Sequence, residues 1–176
     1  MASFRLLEYK NTDRWLNWSI SAWTGLFNPG TPPYSHAEIY WPDEDGNWDN
    51  GECFTSTMRG EWNGTVIRPA YEVLDHPENW DFFQFDDVDL VKFEAAKGLA
   101  RIAAKQNHGY DKPALLSFFL PFRFGSKKHD ICSEVCERFM YHTGILPSAT
   151  MPSPRRLASK VMERGYKPQP LLKAVA

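Results

Sequence analysis

Asp130-Ile131-Cys132-Ser133-Glu134-Val135-Cys136 is the stretch on which the reading of this chain turns. Asp130 has the side chain of a helix N-cap, whose carboxylate accepts backbone N–H bonds from the first turn. Ile131, Val135 and Phe139 then repeat at helical spacing, which predicts one stripe facing a core. Cys132 falls in the first turn, where unpaired N–H groups and the positive end of the macrodipole favour an anion. A thiol so placed has its pKa lowered, and the thiolate is the nucleophilic form. Lys127, Lys128 and His129, immediately upstream, add positive charge. The same residues also read as a buried helix with two cysteines one turn apart, a common place for free thiols. What separates the two readings is whether the chain supplies a base.

Bulk properties narrow the classes. A chain of 176 residues is the size of one domain, 1–176, and can bury a full core without staples. Aromatic residues make up 15% of it, which predicts large rigid side chains in the core and in a binding cleft. The net charge of -2 argues against a nucleic-acid partner. Cys53, Cys132 and Cys136 form no pairing pattern, which fits a reducing compartment rather than a disulfide framework. They also lack the close Cys-x-x-Cys pairing of a zinc site, so neither metal nor cofactor is expected. Charges interrupt the first eight residues, so neither a signal peptide nor a transmembrane helix is expected.

Periodicity outlines an α+β domain. Ser3 to Tyr9 reads as an edge strand, and Thr12-Asp13 opens a helix reaching Phe27 with Trp15, Trp18 and Trp23 on it. His36-Ala37-Glu38-Ile39-Tyr40-Trp41 reads as a strand with His36, Glu38 and Tyr40 on one face and Ala37, Ile39 and Trp41 on the other. The acidic turn Asp43-Glu44-Asp45-Gly46-Asn47 returns the chain to Glu52–Thr57. Thr65 to Arg68 and Trp80 to Phe85 add two more strands, making a small antiparallel meander. A helix is expected over 86–107, with Leu90, Val91, Ala95, Leu99, Ile102 and Ala103 as its buried stripe and Asn107-His108-Gly109 closing it. The run Leu115 to Leu120 is too short to span a membrane. Ser153-Pro154 opens a last helix ended by Gly165, and 167–176 is expected to be loosely held.

A nucleophilic cysteine needs an oriented base within reach. Of the five histidines, His76 and His108 sit in turn sequences, His142 suits a helix C-terminus, and His129 belongs to the approach loop. His36, on a strand and sharing a face with Glu38, has the rigid placement a general base requires. Cysteine on a helix and histidine on a sheet is the papain-type arrangement, defined by geometry and not by chain order.

In this order and spacing the chain resembles the circularly permuted branch of the NlpC-type cell-wall peptidases, a papain-like family that also includes lecithin retinol acyltransferase-like proteins. In that branch the histidine strand precedes the cysteine helix, as Ser35-His36-Ala37-Glu38-Ile39 precedes Ile131-Cys132-Ser133-Glu134-Val135 here. Members often read His-Val-Gly-Ile at the first site and Phe-Cys-Ser-Glu-Leu at the second. The turn Gly109-Tyr110-Asp111 and the stretch Cys53 to Arg68 resemble versions of the fold among bacteriophage proteins. The similarity runs from about Tyr34 to Gly165.

The resemblance implies a papain-like fold and a cysteine hydrolase acting on an amide, above all a peptide bond in peptidoglycan. Cys132 would attack the carbonyl and His36 would move the proton. The third residue of the family lies on the strand after the histidine strand, near Thr55 and Ser56, with Glu38 as the substitute. The oxyanion would be met by the backbone N–H of Cys132 and by Tyr110 or Tyr34. The resemblance also implies a protein made in the cytoplasm of the producing cell and carried to the cell wall, a virion being one vehicle. Two other outcomes stay open: an acyltransferase or thioesterase acting on lipid, and a catalytically silent virion or binding component. Glu134 is expected to make a structural hydrogen bond or ion pair, with Arg123 or Arg138 as its partner, and Cys136 to lie in the core.

Overall fold

The computed structural model describes residues 1–10, 30–58, 61–107, 109–112, 130–150 and 152–171. The helix expected over 12–27, the run Leu115 to Leu120, the basic approach loop with Arg123 and His129, and His108 lie outside the described residues.

The frame is one antiparallel sheet of β1 Ala2–Tyr9, β2 His36–Trp41, β3 Glu52–Thr57, β4 Gly64–Pro69, β5 Trp80–Val88 and β6 Gln169–Pro170. Its strand order is β4-β3-β2-β1-β5-β6. Helices α1 Ala70–Val73, α2 Leu90–Gln106, α3 Cys132–His142 and α4 Pro154–Met162 pack around it. The architecture is thus α+β, as the periodicity predicts. The hairpins β2–β3–β4 form the expected meander, and the acidic turn is held by Asp43, whose carboxylate accepts the N–H groups of Asp45 and Asn47.

Two expectations about the sheet are corrected. β1 is not an edge: it lies between β2 and β5, with Tyr9 opposite both His36 and Trp80. β5 therefore does not extend the meander beyond β4 but returns to β1. Part of the tail is also held more firmly than expected, since Gln169–Pro170 pairs with β5 and Leu171 is buried, while residues 172–176 lie outside the described residues.

Alternation divides the sheet into two differently covered faces. Phe4, Leu6, Ile39, Trp41, Phe54, Phe83 and Phe85 lie under α2, α3 and α4 and form the main core. Leu7, Tyr40, Cys53 and Trp80 face the other way, covered by Ala70 and Val73 of α1 and by Leu171.

Helix α2 buries a different stripe from the one its large apolar residues suggest. Leu90, Val91, Leu99 and Ile102 are exposed, while Phe93, Ala96 and Ala100 are buried. Small alanines let the helix approach the sheet closely, and Phe93 supplies the bulk by packing near Phe4 and Phe139. Asp89 caps its start by accepting the N–H of Lys92, and Asn107 in the left-handed conformation ends it. α4 begins as expected, with the Ser153 hydroxyl accepting the N–H of Arg156 and proline at the first turn.

Candidate functional site

Helix α3 is aimed by its aromatic anchor. Phe139 stacks on Trp41 with centroids 5.5 Å apart and meets Phe4 edge-on at 5.2 Å. Trp41 ends β2, so the later turns of α3 lie over the end of that strand. Cys132 is two turns earlier, about 10 Å back along the axis. His36 begins β2, about 16 Å back along the strand. With the Asp130 backbone held by Ser56, Cys132 and His36 lie towards the same end of the sheet, the helix of Cys132 on one face and the His36 side chain on the other.

The loop entering α3 is tied to that end. The Ser56 hydroxyl donates to the Asp130 carbonyl at 2.9 Å, and the Thr65 hydroxyl donates to the Asp130 carboxylate at 3.0 Å. The second carboxylate oxygen of Asp130 accepts from Arg138 at 2.6 Å. Asp130 is thus not the N-cap expected from its position. Ile131 occupies that place without a side-chain cap, and the carboxylate is taken by partners on β4 and α3 itself. Gly109 and Tyr110 run beside this loop through backbone pairing with Asp130.

On the other face, His36 and Glu38 form the pair suggested by their spacing. Nε2 of His36 lies 3.1 Å from Oε1 of Glu38, with both residues buried. A carboxylate only accepts, so the neutral ring that makes this bond carries its proton on Nε2 and keeps Nδ1 as its basic nitrogen. Arg68, on β4, donates to the same Glu38 oxygen at 2.5 Å. Burial opposes ionisation of Glu38, but the hydrogen bond from His36 and the charge of Arg68 outweigh it and hold the carboxyl below its ordinary range.

The faces separate some of the expected partners. Ser56 is committed to Asp130 on the α3 side, whereas the His36–Glu38 pair lies on the side of Trp80, whose ring meets His36 edge-on at 6.3 Å. Glu38, not Ser56, is therefore the carboxylate or hydroxyl bonded to His36. Tyr34 is fully buried and donates its hydroxyl to Asp81 at 2.8 Å, so its proton is already engaged. Tyr110 remains beside the entry to Cys132 through its bridge to Asp130. Cys136 is in the core, where burial pushes its thiol up.

Of the partners expected for Glu134, Arg138 is engaged with Asp130 and Arg123 lies outside the described residues; one buried oxygen of Glu134 accepts no hydrogen bond. Burial raises its carboxyl to about 6, with Arg138 pulling the other way.

Two residues had no place in the sequence reading. Arg68 was only the end of a strand, and its role depends on the β3–β4 register that sets it opposite Cys53. Glu8 is fully buried between Ala37 and Asp81, and neither of its carboxylate oxygens has a partner. Burial and the nearby Asp81 push its pKa well up, so it holds a proton that an exposed glutamate would release. The signal for Glu8 was a carboxylate inside an otherwise apolar strand.

Buried polar atoms without a partner fall on Glu8, Glu38, Thr57, Arg68 and Glu134 among the described residues. All are polar groups on the strands around His36 or in the first turn of α3. Such atoms are uncommon in folded proteins. A cleft of about 400 Å³ opens beside Arg68, lined by Tyr9, Trp62, Val73 and Trp80 together with the acidic Glu61, Glu72 and Asp75. Among the described residues no three His, Cys, Asp or Glu side chains come together as a metal-binding group. No described helix is long and apolar enough to cross a membrane.

No family model, curated protein or solved structure matches this chain.

Proposed function

We propose that the protein is a papain-like cysteine hydrolase that cleaves an amide bond, with a peptide bond of bacterial peptidoglycan as its substrate. The observation that carries this reading is the buried His36–Glu38 hydrogen bond at 3.1 Å, at the end of the sheet where Cys132 opens α3. A base oriented by a carboxylate, together with a thiol at a helix start, is the minimum equipment of thiol acyl transfer.

In this mechanism Cys132 Sγ forms a bond to the scissile carbonyl carbon as His36 accepts the thiol proton. The resulting oxyanion is met by the backbone N–H of Cys132 and by Tyr110. Collapse breaks the C–N bond, and the proton passes from His36 to the departing amine. Water, activated by the same imidazole, then cleaves the thioester, which releases the acid and restores the thiol. Glu38 holds the ring through Nε2. Tyr9 and Trp62, both partly exposed at the cleft, offer flat apolar surfaces on which a stem peptide or its neighbouring sugar can lie.

The test uses purified peptidoglycan and a panel of acyl lipids, incubated with wild type, Cys132→Ala and His36→Ala, with products read by mass spectrometry. New stem-peptide fragments with wild type alone are expected. Release of the same fragments by Cys132→Ala overturns the nucleophile assignment. Acyl transfer without peptide cleavage moves the substrate to lipid. No product from either substrate leaves a binding component.

A further inference from the structure

We propose that Arg68 is a positioning residue for His36, acting through Glu38. The inference takes its functional meaning from the cysteine-hydrolase reading above. Its structural content stands on three side chains from two strands, β2 and β4, that flank β3.

Glu38 is fully buried, and a carboxylate in that position is costly unless a charge and hydrogen bonds compensate it. Its Oε1 receives both available donors, Arg68 at 2.5 Å and His36 at 3.1 Å. The other oxygen has no partner, so the anion rests on these two contacts. His36 shares its strand with Glu38 and reaches it through a single ring nitrogen. Arg68 brings a guanidinium that is itself nine-tenths buried and comes from a different strand. It therefore fixes both the charge of Glu38 and the position of the oxygen that holds Nε2 of His36.

The remaining titratable neighbours do not supply this charge. Cys53, on β3, lies opposite Arg68, and burial and Glu38 push its thiol up, so it stays neutral. Tyr40, on the same strand as Glu38, is engaged with the carbonyl of Trp48, and its phenol is also pushed up by burial. Tyr9, opposite His36 on β1, carries no cationic group. Without Arg68, burial dominates and Glu38 takes up a proton. A protonated Glu38 is a donor as well as an acceptor, and the Nε2–H tautomer of His36 loses its reason to prevail.

The experiment is a carboxyl and imidazole NMR titration of isotopically labelled wild type, Arg68→Met, Arg68→Lys and the double variant Arg68→Met/Glu38→Gln. In Arg68→Met the Glu38 midpoint is expected to rise by about 1–3 units, the shift that an opposite charge at ion-pair distance produces. The nitrogen shifts of His36 should change from a predominantly Nε2–H ring to a mixed tautomer. Arg68→Lys keeps the charge and should hold the Glu38 midpoint nearer to wild type. If Arg68→Met is too unstable to titrate, adding Glu38→Gln should restore its folding, because the uncompensated carboxylate is gone. A folded Arg68→Met with an unchanged Glu38 midpoint and His36 tautomer overturns the assignment. So does an unfolded Arg68→Met that Glu38→Gln fails to rescue. Turnover is not read in this experiment. Loss of the hydrolase reading leaves these shifts to be seen, and an active hydrolase whose Glu38 ignores Arg68 keeps its function without this assignment.

Discussion

Phe139 lies flat on Trp41, with ring planes 11° apart, and this contact seats α3 on the sheet. Removing the ring takes away its packing on Trp41, Phe4 and Phe93 together. Phe139→Ala is expected to destabilise the fold by about 3–5 kcal/mol, measured by denaturant unfolding. A loss below about 1 kcal/mol would show that α3 is held elsewhere.

Asp130 joins three segments through Thr65, Arg138 and the backbone beside Gly109. Asp130→Ala leaves the buried Thr65 hydroxyl without its acceptor and frees the guanidinium. A loss of about 1–3 kcal/mol is expected in the same unfolding measurement. Faster alkylation of Cys132 should accompany it, since the loop leading into the thiol loses its anchor. Unchanged stability and alkylation rate would contradict this account.

Gly64 has φ of +111°, and a Cβ built there lies 2.1 Å from Asn107 Oδ1 and 2.8 Å from the Gly109 backbone. An alanine would combine a backbone conformation that side chains avoid with a collision against main chain. Gly64→Ala should cost at least about 1–3 kcal/mol and lower the melting temperature. A variant as stable as wild type would mean that the β4 start and the Gly109 segment do not meet this closely.

The carboxyls of Glu38 and Glu8 give opposite pH dependences. Glu38 is held below its ordinary value, so its contribution to stability is present above the unfolded value of about 4.5 and fades as pH falls through the folded value. Glu38→Gln should therefore cost most near neutral pH and least in acid. The same variant should lower turnover by about 10²-fold or more, because the carboxylate orienting His36 is lost. Equal stability losses at all pH values would argue that Glu38 is not ionised in the fold.

Glu8 is held above its ordinary value, so the folded chain keeps a proton that the unfolded chain releases above about 4.5. Its stabilising influence is present below that pH and is lost as pH rises towards the folded value. Glu8→Gln does not titrate, so the variant should gain on wild type as thermal melts move from about pH 4 to pH 8. A constant difference across that range would place the proton elsewhere.

Alternation was readable wherever one face of a strand is consistent, which is why His36, Glu38 and Tyr40 were correctly grouped. Arg68 was not readable as their partner, because a strand's own pattern does not state which residue lies opposite on the next one. β1 looked like an edge for a related reason: local sequence carries no count of neighbours. The stripe of α2 misled because periodicity weights large side chains, while the structure buries Ala96 and Ala100 to bring helix and sheet together. Asp130 shows a local preference overridden by distant partners, since Thr65 and Arg138 compete for the carboxylate that a cap would use.

The division of β2 between two faces also sets which changes of chain length the protein can absorb. One residue added or lost within His36–Trp41 would exchange His36 and Glu38 with their neighbours, carrying the imidazole towards the helices and Ala37 towards Arg68. The turn at Asp43–Asn47 is exposed and closed by its own hydrogen bonds, so length can vary there without moving the register on either side. Variation in length should therefore collect at the hairpin tip, while β2 changes only by substitution.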